Sequence, residues 1–150
     1  MHVDKHVIKM IVETCQLLCS AVHVTKSYTP PYKLTHKNHP SSIWTRESIE
    51  NYIWLCELGI ALCDEYRYRY GKIHKTEKYI KYLYKNPPSL PTNKFTFPPM
   101  VIPDNCKFED VVFSYRYYIL YRKTNLLSWS GKVASRKIPN WVYDITALKA

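Results

Sequence analysis

Three glycines in 150 residues leave few places for the tight two-residue hairpins on which an antiparallel sheet depends, so this chain is suited to long helices. The same scarcity removes glycine-rich phosphate loops. Hydrophobic spacing agrees with helix. Over residues 3–23, Val7, Ile8, Met10, Ile11, Cys15, Leu18, Cys19 and Val22 recur at helical intervals. On the same segment His2, His6, Lys9, Glu13, Gln16, Ser20 and His23 follow one another at steps of four and three, which gathers all seven on one face.

Residues 25–42 are polar, with Pro30-Pro31 and the run His36-Lys37-Asn38-His39-Pro40, and read as an ordered loop after which Ser41 or Ser42 caps a helix. The second helix is expected over about 43–70, carrying Trp44, Tyr52, Trp54, Leu55, Leu58, Leu62 and Tyr66, and stopping at Gly71. A short lysine-rich helix follows, with Tyr79 and Leu83 inward, ended by Pro87-Pro88. Six of the ten prolines lie in 87–103 and mark a long extended connection. That connection is expected to wrap over the body, because Phe95, Phe97, Met100, Val101 and Ile102 need burial. A last long helix is expected from about 104 or 108 to 129, and then a basic and aromatic tail around Arg136-Lys137 and Trp141. The fold class is therefore all-α: a compact bundle of three to four main helices with one Pro-rich connection. A chain this long matches one domain, 1–150, and buries roughly two-thirds of its unfolded surface.

Charge narrows the partners. Twenty-two basic residues against 12 acidic give a formal +10, which draws polyanions. Only six of the basic residues are arginines, so phosphate-backbone contact is favoured over the bidentate reading of base edges. Cys15, Cys19, Cys56, Cys63 and Cys106 form an odd set without CxxC spacing and read as reduced, buried thiols. No apolar run approaches a membrane span, and the N-terminus lacks the layout of a signal peptide. An intracellular location and no membrane partner are expected.

Three constellations could carry chemistry. In the stripe His6, Lys9, Glu13 and Gln16, a base and an acid lie four apart beside a titratable histidine, although a solvated helix face with an ordinary Lys9 and Glu13 pair explains the same pattern. The loop with Lys37 and His39, followed by Arg46 and Asn51, feeds a helix N-terminus suited to a phosphate. The alternative is a turn that these residues only stabilise. Finally, Arg67, Arg69, Lys72, His74, Lys75, Lys78 and Lys81 interleave with tyrosines, as in a nucleic-acid surface or, equally, a charged helix exterior. His2 with His6, and His36 with His39, have permissive metal spacing. Without an HExxH motif, and with Lys5 and Lys9 adjacent, neither a metal nor any cofactor is expected.

The run from Asp4 to Met10, with Glu13 and Gln16, then Lys37-Asn38-His39-Pro40, Trp44 with Arg46 and Ser48, Asn51-Tyr52 with Trp54, and Tyr68-Arg69-Tyr70-Gly71-Lys72 resemble a set of small proteins of phages and large DNA viruses. That resemblance covers about the first half strongly and the tail weakly, and it supplies a setting but no activity. More distantly, Asp4, His6 and Glu13, with His39 ahead of Trp44 and the tail around Trp141 and Tyr143, resemble pyrimidine-dimer DNA glycosylases. This likeness implies that Glu13 is the key carboxylate in cleaving an N-glycosidic bond, with His6 and Lys9 in support. Duplex DNA would be gripped by Asp4, Gln16, Lys37, His39, Arg46, Asn51, Arg69, Lys72 and Lys75, with a base displaced from its stack. The family's nucleophile is an N-terminal amine freed before a small residue. Here Met1 precedes the bulky His2, so Met1, Lys5 or Lys9 serves, or the lyase step is absent. The alternatives are a non-catalytic viral DNA-binding accessory protein and an enzyme for a nucleotide-like small molecule.

Overall fold

The computed structural model describes residues 4–100, 104–107, 109, 116 and 127–147, and every statement below concerns those residues. They are all-α: α1 (Asp4–Thr25), α2 (Pro40–Glu47), α3 (Ile49–Tyr70), α4 (Glu77–Lys85) and α5 (Asn140–Ala147), with a single 3-10 turn at Asp104–Cys106. The long helix expected after residue 104 falls almost wholly outside the described residues. Leu127 to Trp129, its expected end, have no helical structure.

Helix α1 is the element on which the others assemble. Its stripe Val7, Ile11, Thr14, Cys15, Leu18, Cys19 and Val22 is fully buried, and it packs most extensively on α3. At Gly59 of α3 a methyl group would stand 3.0 Å from Thr14 Cγ2 and 3.1 Å from Ile80, so α1, α3 and α4 approach closely here and a larger residue would push those side chains aside by a few tenths of an ångström. By length and composition α1 is apolar enough to cross a membrane, contrary to the expectation that no segment reaches that mark. The reason is that most of its polar stripe is uncharged. Half of that stretch is buried inside the protein. All five cysteines are free and buried, as their apolar surroundings predicted.

The expected helix over 43–70 is two helices. Ser48 is extended (φ −152°, ψ 157°), and its Oγ accepts the N–H of Asn51 at 3.1 Å, capping α3. The first turn of α2 also begins earlier than the serines suggested. Pro40 stands at its N-terminus and pushes His39 into extended backbone, where His39 Nδ1 accepts the N–H of Ser41 at 3.1 Å.

Residues 87–100 form the expected strap. The N–H of Ile49, unpaired within α3, donates to the Pro91 carbonyl at 2.9 Å, and that of Asn93 donates to Glu50 Oε2 at 2.9 Å. Trp44 Nε1 donates to the Thr96 carbonyl at 3.0 Å, and the Phe95 ring lies 5.4 Å from Trp54. Burial of the strap's aromatics is less complete than expected. Phe95 is partly covered, whereas Phe97 is 76% exposed. Val101 and Ile102 lie outside the described residues.

Candidate functional site

On α1, Lys9 Nζ stands 3.5 Å from Glu13 Oε1, an exposed pair of the kind that adds little stability. His6 and Gln16 are half-buried beside it. The far end of the stripe serves the fold instead. Ser20 Oγ donates to the Thr35 carbonyl at 3.0 Å, and His23 Nε2 donates to the Tyr32 carbonyl at 2.9 Å. Through Tyr32, whose hydroxyl is hydrogen-bonded with Thr76 Oγ1 at 2.7 Å, and Tyr28, which donates to the Asn86 carbonyl at 2.7 Å, the 26–39 loop is tied down on both sides of α4. Only the half of the stripe from His6 to Gln16 remains a candidate for binding.

Asp4 belongs to a different face. At about 100° per residue it lies roughly opposite Glu13 and heads the buried stripe of Val7 and Ile11. A carboxylate there requires a partner, and it has several. Ser128 Oγ donates at 2.7 Å, the Gly131 N–H at 3.0 Å, and Arg69 Nη1 at 2.9 Å. Burial works to raise the Asp4 pKa, but these donors and the guanidinium charge outweigh it and hold the group below the usual carboxylate value. Arg69 is fully buried, and its Nε also donates to Glu65 Oε1 at 2.7 Å. Arg136 from the tail then clasps Glu65 through two hydrogen bonds of 3.0 Å and lies 3.7 Å over the Tyr68 ring. The hydrogen bonds from Arg136 come first in lowering the Glu65 pKa, against burial and together with Arg69.

Asp4 and Arg69, expected at a DNA surface, thus lie in the interior and bind each other. Asn51 is likewise buried. Its Nδ2 donates to the Trp44 carbonyl at 3.0 Å and to Thr96 Oγ1 at 3.1 Å, while its Oδ1 accepts the Thr96 N–H at 3.1 Å. Arg46 Nη1 donates to the Lys37 carbonyl at 2.6 Å, fastening the loop rather than lining an open anion site. At the start of α2, the Ser41 N–H is bound by His39 Nδ1 and that of Ile43 by the His39 carbonyl, so two of the donors expected to hold a phosphate are taken. Lys37, Lys72 and Lys75 are exposed.

The network of Asp4, Glu65, Arg69 and Arg136 was not foreseen as a unit. Asp4 at the head of an apolar stripe was its one sequence signal. Among the described residues no cluster of three or more His, Cys, Asp or Glu is placed to hold a metal ion.

One division of charge emerges. Arg67 reaches Glu77 at 2.8 Å and Asp64 at 3.3 Å, Arg69 reaches Asp4 and Glu65, and Arg136 reaches Glu65. Lys72, Lys75, Lys132 and Lys137 are exposed, with no carboxylate within ion-pair distance among the described residues. Comparison with protein-family models, with curated proteins and with solved structures gave no match.

Proposed function

We propose that the protein binds nucleic acid, gripping the phosphate backbone of duplex DNA with lysine. The observation that carries this reading is the division of charge just described. Arg67, Arg69 and Arg136 are matched by carboxylates, whereas Lys72, Lys75, Lys132 and Lys137 stand open to solvent with no carboxylate within ion-pair distance among the described residues. A lysine ammonium is a flexible point charge that neutralises phosphate without selecting a base. The test is fluorescence anisotropy with a 20-base-pair duplex of mixed sequence across a salt series. The expected result is a log affinity that falls linearly with log salt, by about 0.9 for each phosphate neutralised, and is alike for unrelated sequences. Affinity that is insensitive to salt overturns the reading.

A catalytic version, an N-glycosylase acting on damaged or modified bases, is favoured by the exposed Lys9–Glu13 pair lying on the same stripe as His6. In that role Glu13 would stabilise positive charge on the sugar as the base leaves. Asp4 does not contribute to it, because its carboxylate is bound to Arg69, Ser128 and Gly131. Release of a base from damaged duplexes, abolished by Glu13→Gln with DNA affinity unchanged, is the expected outcome; release unaffected by that change removes the glycosylase.

A further inference from the structure

Two turns of like composition meet at one end of the bundle. Gly71-Lys72-Ile73 follows α3, and Gly131-Lys132-Val133 lies in the tail, 60 residues later. Each begins on a left-handed glycine, with φ of 65° and 61°. A single atom brings them together. The Arg69 carbonyl accepts the N–H groups of Lys132 at 2.9 Å and Val133 at 2.8 Å. The turns touch, since a methyl group on Gly71 would lie 2.9 Å from Val133 Cγ2. At Gly131 a methyl group would lie 2.9 Å from that same carbonyl, so the tail turn can form only on glycine.

The junction holds two β-branched aliphatic residues in water, Ile73 at 69% exposure and Val133 at 70%, each next to an exposed lysine. Lys75 and Lys137 are exposed on the flanking segments. Phosphate binding accounts for the lysines but has no use for the aliphatic tips, and the fold does not bury them. Apolar side chains inserted between base pairs, with cations on the phosphates to either side, use both components.

We propose that Ile73 and Val133 form a paired wedge that enters a base step of duplex DNA and kinks it, while Lys72 and Lys132 hold the adjoining phosphates. This rests on the nucleic-acid reading above and assigns it a surface and a mode. An anionic bilayer is the other polyanion with an apolar interior. Two short aliphatic tips bury little hydrocarbon for an anchor, when even a whole acyl chain gives only marginal binding. Opening one base step requires no more than a tip.

The experiment uses the full chain and 20-base-pair duplexes carrying 2-aminopurine, with dyes at the two ends, so that unstacking and bending are read beside anisotropy. Wild type is expected to raise 2-aminopurine emission and shorten the end-to-end distance. Ile73→Ser with Val133→Ser, both at exposed positions, should lose both signals and bind about ten-fold more weakly, with the salt slope unchanged. Lys72→Gln with Lys132→Gln should instead lower that slope by about 2. Salt-dependent binding without unstacking, or unstacking that survives the double serine change, overturns the wedge and leaves the nucleic-acid reading standing. Absence of salt-dependent DNA binding overturns both. Sedimentation with phosphatidylserine vesicles that is lost in the double serine variant, with no unstacking of DNA, assigns the tips to a lipid surface and overturns the wedge.

Discussion

Arg69 has no exposed surface, and its guanidinium is shared between Asp4 and Glu65. Replacing it by methionine would keep much of the apolar volume but leave Asp4 buried without its cation. A loss of about 3–5 kcal/mol in urea-unfolding stability is expected. The same network sets an acid limit. Asp4, Glu65 and Glu77 all have pKa values below the ordinary carboxylate range, so the folded state holds these protons less tightly than the unfolded chain. Their contribution is therefore complete above about pH 4.5 and is lost as the pH falls through the lowered values. Asp4→Asn should flatten the acid limb of stability against pH. His74 has a separate window. Burial, followed by the Lys75 charge, lowers its pKa, with Glu77 opposing, so protonation favours the unfolded chain. Stability should fall as the pH drops below about 6.5, and His74→Asn, which can still accept the Thr76 N–H, should abolish that slope. Asp4 was legible in part, since helical geometry alone separates it from Glu13 by half a turn. Its partners Ser128 and Gly131 lie 124 and 127 residues away and leave no local trace in the sequence.

At the level of elements, α1, α4 and the strap follow from spacing and from proline, because periodicity and the loss of a backbone donor act locally. The break between α2 and α3 does not. Hydrophobic spacing runs through it, and what ends α2 is competition from the Ser48 side chain, which caps the next helix, together with a strap that supplies the Pro91 carbonyl to Ile49. Asn51 joins these parts, holding both Trp44 and Thr96. Asn51→Ala removes these bonds and leaves buried groups unsatisfied, with an expected cost of about 2 kcal/mol. Limited proteolysis should then cut first within residues 87–100, while amide protection of α1 persists.

Across the whole molecule, sequence composition conveyed the excess of positive charge but not which cations find carboxylates, as Arg67, Arg69 and Arg136 do, and which stay open, as Lys72, Lys75, Lys132 and Lys137 do. That division depends on which side chains the packing of α3 and the tail turns inward. The tail is integral to the packing, since Arg136 neutralises Glu65 and the turn at Gly131 receives Asp4. A chain ending at residue 127 should unfold at lower urea and with a broader transition than the full chain, as followed by circular dichroism. The contact between Asp4 and Ser128 also dictates an order of events during synthesis. The carboxylate that opens the first helix can meet Arg69 once α3 is made, but Ser128 and Gly131 lie 124 and 127 residues along, so its hydrogen bonds are completed only after α1 can pack on α3 and α4. The buried pair of Asp4 and Arg69 is thus sealed late, and a chain stalled before residue 128 holds that carboxylate without two of its donors.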